Sequence, residues 1–193
     1  MVYFRHIKTS FKLEKTMKQL AFQQIKKEYD SFYNELLSQG KLPLRSTDKG
    51  FWGHIPAQDI YEAFKQLNLQ EHKTFIDIGS GDGKVVLIAS LFCKRAVGIE
   101  IDDELFSKSL DMQKILGIGN AIFFNDDFYN HSVSGFDAVF VYPDEPMHRN
   151  LEKKLLNELT GKLIHCGHHF HPENLRKHKD IMVNGTLMTV YTK

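Results

Sequence analysis

The residues best suited to chemistry lie between Asp77 and Phe128. A short apolar run, Phe75–Ile78, leads into Gly79-Ser80-Gly81-Asp82-Gly83 and then directly into an apolar helical stretch. Glycines at alternate positions let the backbone turn tightly and approach a ligand with no Cβ in the way. The start of the following helix offers unpaired N–H groups and the positive end of its dipole, a combination suited to a phosphate or a carboxylate. Glu100 closes the next apolar run, Ala96–Ile99, where a carboxylate can accept both hydroxyls of a ribose. Asn125-Asp126-Asp127-Phe128 follows a third run. An acid there can accept from the exocyclic amine of adenine while Phe128 stacks on the ring, and by strand position Asp127 fits better than Asp126. The alternative for this acid pair is a turn or helix cap.

Taken in chain order, these residues point to a nucleoside ligand, and the charges select among nucleosides. The dinucleotide fingerprint requires a glycine at position 84, which is Lys84. Asp77 and Asp82 put carboxylates where a diphosphate would come close. S-adenosylmethionine (SAM) has no phosphate and carries an amino group and a sulfonium, so the acids favour it. Glu100 suits either ligand.

The elements that position these residues follow from periodicity. Residues 13–38 read as one amphipathic helix, with Leu13, Met17, Leu20, Ile25, Tyr29, Phe32 and Leu36 near helical spacing. Such a helix packs on the main domain or serves as a lid or membrane-surface element. Residues 41–55 read as a loop, and a second helix starts at Pro56, which the first turn tolerates. Apolar runs at Phe75–Ile78, Ala96–Ile99, Ala121–Phe124, Ala138–Tyr142 and Leu163–Cys166 predict buried strands. Helices are predicted at Val85–Phe92, Glu104–Ile115, Asn150–Leu159 and Pro172–Lys177. This alternation implies right-handed crossovers and a parallel sheet. Asn184-Gly185 between two apolar runs predicts a terminal hairpin. The expected fold is α/β: a three-layer, doubly wound, mostly parallel seven-stranded sheet with a C-terminal antiparallel hairpin and an N-terminal helical extension. The extension and its loop take residues 1–55 and the main domain 56–193.

Composition narrows the class. The 193 residues are 42% hydrophobic and 25% charged, as in ordinary globular domains, which argues against disorder. Lys and Arg total 25 against 24 Asp and Glu, so there is no global basic excess of the kind that obligate nucleic-acid binding requires. No apolar run approaches a bilayer-spanning length. The basic start MVYFRHIKTSFK lacks an apolar signal core. Cys93 and Cys166 sit in apolar runs as buried free thiols do, and the expected compartment is the cytoplasm.

With these residues in place, the chain resembles the class I, seven-β-strand SAM-dependent methyltransferases. Within that class, "FIDIGSGDGKVVLIAS" followed by "AVGIEIDDEL" is most similar to a protein-lysine group. That group comprises methyltransferases acting on the c-ring protein of ATP synthase, their prokaryotic relatives and, more distantly, the non-SET histone-lysine enzymes. The likeness runs from about Ile55-Pro56-Ala57 through "LEKKLLNEL" to "KLIHC", leaving out the first forty or so residues. It implies SAM contacts at Asp77, Gly79, Ser80, Gly81, Glu100, Ile101, Asp127 and Phe128, with S-adenosylhomocysteine as product. It also implies that residues ahead of the first strand, such as His54 or Gln58, help cover the cofactor. A protein lysine is the implied acceptor. The alternatives are a small-molecule or RNA methyltransferase on the same fold, or a SAM-binding module without catalysis.

The acceptor should meet the cofactor beyond the carboxyl ends of the strands, near the strand-order reversal. Tyr142-Pro143-Asp144-Glu145-Pro146 leaves the fourth strand there. Methyltransferases acting on nitrogen commonly carry a polar-Pro-Pro-aromatic segment at this place, and this departure argues against a DNA-base or glutamine-amide acceptor. Asp144, Glu145 or a nearby tyrosine could orient a lysine ammonium as it loses its proton, and Tyr142 could offer its ring to a methylammonium. Tyr142 and Asp144 are the candidate catalytic residues; an exposed turn between prolines is the competing reading. In His165-Cys166-Gly167-His168-His169-Phe170-His171, strand alternation sends His165 and Cys166 to opposite faces, and no second ligand cluster is visible, so no metal is expected. One of His168, His169 or His171 either faces the acceptor pocket or lies in a solvated loop.

Overall fold

The computed structural model describes residues 2–47, 50–147 and 150–193, with side chains from Thr16 onward apart from those of Arg45 and Thr47. Helix α1 (Val2–Ser38) is followed by a small antiparallel pair, β1 (Leu44–Thr47) and β2 (Gly50–Gly53), and by α2 (Ala57–Gln66). The main body then runs β3 (Thr74–Ile78), α3 (Lys84–Ala89), β4 (Arg95–Glu100), α4 (Asp103–Leu116), β5 (Ala121–Asn125), β6 (Ala138–Val141), α5 (Leu151–Glu158), β7 (Lys162–Cys166), β8 (Arg176–Val183) and β9 (Thr186–Thr192).

Seven strands form one sheet in the order β5-β4-β3-β6-β7-β9-β8. The first five are parallel, and β9 runs antiparallel between β7 and β8. The order reverses at β3, which pairs with β4 on one side and β6 on the other, so a crevice opens at the carboxyl ends of these three strands. This is the doubly wound architecture that the sequence predicts.

Strand alternation sorts the core. Phe75, Ala96 and Phe140 face α1, α2, α3 and α4, whereas Ile76, Ile78, Val97, Ile99 and Val139 face α5. Phe22, Ile25 and Tyr29 of α1, at i, i+3 and i+7, are fully buried in the first of these layers, and Phe22 stacks on Tyr61 of α2 at 3.9 Å. Helix α4 begins at a cap: the Asp102 side chain accepts from the N–H groups of Glu104 and Leu105, and Gly117 ends the helix at φ +63°. Asn184 and Gly185 both have positive φ, as a two-residue hairpin turn requires.

Three segments differ from the periodicity reading. Helix α1 starts at Val2, well before residue 13. Residues 41–55 contain the β1–β2 pair, which carries no alternation because two of its eight residues are glycine and its partners are tertiary. Pro172–Lys177 forms no helix; it bends, and from Arg176 it pairs with β9 as an edge strand. Residues 176–180 are exposed on both faces, so this half-strand leaves no period-two signal. Among the described residues no helix is long and apolar enough to cross a membrane.

Candidate functional site

The crevice at the strand-order reversal encloses about 330 Å³. Gly79, Glu100, Ile101, Asp127 and Phe128 line it from the carboxyl ends of β3, β4 and β5, and Tyr142 to Met147 line it from β6. Gly50–Gly53 of β2 form a further wall. The candidate residues Asp77, Ser80 and Gly81 do not line this space. Asp77 and Ser80 lie behind it, 2% and 6% exposed, and Gly81 is covered by Trp52.

Each part of the bend is held from within. The N–H groups of Gly79 and Ser80 both donate to the Ile99 carbonyl, at 3.0 and 2.9 Å. Gly81 N–H donates to Glu100 Oε2 at 2.6 Å, Gly83 N–H to the Ser80 carbonyl at 3.0 Å, and Lys84 N–H to Asp82 Oδ1 at 3.2 Å. The expectation that this bend cups an anion with free amides is therefore corrected: five of its amides are already bonded inside the protein, and α3 is only six residues long. Gly81 has φ +56°, and a Cβ there would come within 2.5 Å of Trp52 Cδ1. Glycine is required both by the turn and by the tryptophan that closes on it. At Gly79 nothing lies within 4 Å of a Cβ, so that side of the bend opens to the crevice.

Glu100 is the pivot. Oε1 accepts from Asp102 N–H at 2.8 Å while Oε2 holds Gly81, so one carboxylate joins the bend to the start of α4. Burial pushes its carboxyl up, opposed by those backbone bonds. Asp77 is raised much further by burial, with Glu100 and Asp82 adding repulsion. Three acids thus converge on the bend. A diphosphate placed here would meet these acids with no free amide from residues 79–81 to hold it. An adenosyl ligand carrying cationic groups meets the opposite balance, and the buried, unpartnered Ser80 hydroxyl offers a further polar atom. The residues present fit SAM.

Asp127 lines the crevice and also accepts from Tyr129 N–H at 2.9 Å, capping a short 3₁₀ turn. Asp126 is engaged elsewhere, with Asn130, His131 and the Asp127 N–H, and those hydrogen bonds lower its carboxyl. At the far side, Asp144 Oδ2 accepts from Phe51 N–H at 2.6 Å, tying the β6 loop to β2 across the crevice. Tyr142 is half exposed, its ring against Gly167 and its hydroxyl pushed up by burial.

The histidine segment lies outside the crevice lining. His165 is wholly buried with neither ring nitrogen partnered, and burial lowers it to about 4. His171 stacks on it at 4.3 Å and bonds the Tyr191 hydroxyl, while His168 bonds the Gly185 carbonyl. Among the described residues no three His, Cys, Asp or Glu side chains are grouped to hold a metal ion. His54 packs on Tyr33 and Gln58 bonds Glu62, and neither lines the crevice. The covering residue is Trp52, whose only sequence signal is a lone tryptophan between glycines at 50 and 53.

A reversal-point crevice with a ribose-type acid on the second parallel strand, in a sheet closed by an antiparallel strand pair, defines a class I SAM-dependent methyltransferase. The chain belongs to the ANTKMT methyltransferase domain family, whose model matches residues 77–179, more than half of its length. It is 33% identical over 117 residues to the human lysine N-methyltransferase named for the c-ring protein of ATP synthase, covering 58% of this chain and 50% of that one. It is 28% identical over 140 residues to a protein-lysine N-methyltransferase of Saccharolobus islandicus, covering 68% of this chain and 87% of the relative. The chain thus spans about half the length of the human relative. In fold it is similar to an RNA methyltransferase from Salinibacter ruber solved with S-adenosyl-L-homocysteine (TM-score 0.63, 21% identity, 72% of this chain and 92% of that chain). It is also similar to the Pyrococcus abyssi tRNA (uracil-54, C5)-methyltransferase, solved with the same product (TM-score 0.61, 16% identity, 77% and 44%). At these identities the likeness concerns the fold.

Proposed function

We propose that this methyltransferase transfers the methyl group of SAM to the amine of a protein lysine. The observation that carries the reading is the mouth of the crevice. Phe51, Tyr129 and Tyr142 stand there half exposed, and Asp144 and Glu145 lie between the same walls. Aromatic faces and carboxylates together suit an aliphatic ammonium and its methylated forms. The human and the Saccharolobus islandicus relatives are both named as lysine methyltransferases.

SAM supplies an electrophilic methyl on a sulfonium whose departure leaves a neutral thioether. The protein's tasks are to hold the cofactor, align the amine in line with the methyl, and exclude water. Glu100 would accept the ribose hydroxyls, Asp127 the adenine amine, and Phe128 the ring face. Gly79 and Ile101 would line the adenosyl path. Asp77, Ser80 and Gly81 act from behind, through charge and the shape of the bend. A lysine must arrive as, or become, a free amine. Asp144 keeps one carboxylate oxygen beyond its bond to Phe51 N–H, placing it to orient the ammonium and take its proton. Burial raises the Cys93 and Cys166 thiols to about 11 and about 12, as suits inert thiols of a cytoplasmic protein.

The test is incubation of the purified chain with cell lysate and methyl-tritiated SAM, followed by acid hydrolysis of the labelled fractions. Methyllysine is the expected product; label confined to RNA or to small molecules would overturn the lysine reading. In the same assay Asp144→Asn retains an acceptor for Phe51 N–H but cannot take a proton. It should bind SAM with unchanged affinity and lose at least tenfold in rate, within the usual range for a proton acceptor.

A further inference from the structure

Helix α1 reaches the bend through a buried chain of polar groups. Tyr29 donates its hydroxyl to the Asp82 carbonyl at 2.7 Å. Tyr33, one turn further on, donates to the Asp82 carboxylate, and Lys84 Nζ donates back to the Tyr33 oxygen at 2.6 Å. The same ammonium lies 4.5 Å from the centre of the Tyr33 ring. Asp82 and Lys84 are 3% and 2% exposed, so a cation and an anion sit in the interior with a phenol oxygen between them. A hydroxyl can donate to one and accept from the other, which a phenyl ring cannot do. Neither charge is tolerable there without its partner.

This chain of bonds acts on the shape of the cofactor crevice. Asp82 is flanked by Gly81, whose N–H meets Glu100, and by Gly83, from which α3 starts. Fixing both the carbonyl and the carboxylate of Asp82 therefore fixes the peptide units on either side. Tyr33 itself does not line the crevice. Its partners are the residues that set the path of the bend.

We propose that Tyr33 is a positioning residue for the cofactor. Its hydroxyl, shared between Lys84 and Asp82, holds residues 79–84 in the conformation that presents Glu100, so α1 sets SAM affinity from outside the crevice. The inference rests on SAM being the ligand of that crevice.

The experiment is calorimetric titration of SAM and S-adenosylhomocysteine into wild type, Tyr33→Phe, Asp82→Asn and the double variant, at a temperature where each is fully folded. Losing one hydrogen bond to a charged partner should raise Kd for both ligands roughly tenfold in each single variant. The double variant should be little weaker than either, because both substitutions break one chain. A structural role alone would lower the melting temperature and leave Kd within twofold; that result, or additive losses, would overturn the proposal. Amide hydrogen exchange on the unmodified protein tests the same coupling without any variant or ligand. Peptides covering residues 29–36 and 79–86 should open with the same free energy, and independent opening would overturn the proposal. Wild type failing to bind SAM would sink the cofactor reading, and the exchange result would still decide the coupling.

Discussion

Replacing Glu100 by alanine removes two structural bonds and a ligand acceptor in one step. In the free protein the carboxylate holds Gly81 N–H at 2.6 Å and Asp102 N–H at 2.8 Å. The Asp102 amide is near the surface and can turn to water, but the Gly81 amide lies under Trp52 and cannot. An unsatisfied buried donor costs about 1–3 kcal/mol, and bonds to a charged acceptor are worth about 1.5–3 kcal/mol each. Dehydration of the carboxylate, visible in its raised pKa, offsets part of this. A net loss of about 2 kcal/mol follows, which for a chain of this size lowers the melting temperature by about 4–8 °C. Binding loses more: without a charged acceptor for the ribose hydroxyls, Kd for SAM should rise about 10- to 100-fold. Glu100→Gln keeps one carbonyl oxygen but turns an amide NH₂ toward the other donor, so it should fall between wild type and alanine. The assay is calorimetric titration beside thermal melting. An alanine variant that binds SAM within twofold of wild type would show that the acid does not touch the nucleoside. Unchanged melting as well would show that it does not brace the bend.

Two other sites give independent tests. At Gly81 a methyl group would meet Trp52 at 2.5 Å in a left-handed turn, so Gly81→Ala should displace the sole tryptophan and weaken SAM binding. Intrinsic fluorescence should shift, and adding Trp52→Ala should restore part of the lost stability; no fluorescence shift would mean the ring does not rest on the bend. His165 has a folded pKa of about 4 against the ordinary 6.5, so the unfolded chain takes up the proton first as pH falls. Its neutral burial is therefore harmless above pH 6.5 and costs up to about 3 kcal/mol as pH drops from 6.5 to 4. Urea unfolding at pH 7.5 and pH 4.5 should show His165→Leu losing about 2–3 kcal/mol less than wild type across that interval; equal losses would refute it.

The sheet and its order were legible because each parallel strand is buried on both faces and so appears as a short continuous apolar run, with a helix between successive runs. Phe75–Ile78, Ala96–Ile99 and Ala121–Phe124 need no tertiary information to be recognised. Asn184-Gly185 marked its hairpin for a local reason, the positive φ of both residues. Segments whose structure depends on distant partners were illegible. β2 is held by Asp144, ninety-three residues away, and by packing on Gly81. The edge half of β8 is polar on both faces and is a strand only because β9 lies beside it. At the site, Gly79, Glu100, Ile101, Asp127 and Phe128 could be placed from strand ends. Which amides were free could not, because that depends on the Ile99 carbonyl and the Glu100 carboxylate folding back onto the bend.

That last point changes where the selectivity of the crevice comes from. A glycine bend before a helix is ordinarily read as an anion site made by exposed N–H groups. Here the amides of Gly79, Ser80 and Gly81 are turned inward, and the bend serves to bring Asp77, Asp82 and Glu100 close together. Their mutual repulsion, registered in the raised carboxyl of Asp77, is relieved by a positive ligand and worsened by a negative one. Lys84 does not cancel it, because its ammonium is committed to Tyr33 on the side of α1. Discrimination against a diphosphate thus resides in the field of three buried acids, and the glycines contribute by letting those acids approach. Substitutions that preserve the glycine spacing but neutralise the acids would be expected to erode selectivity for a cationic nucleoside while leaving the turn intact.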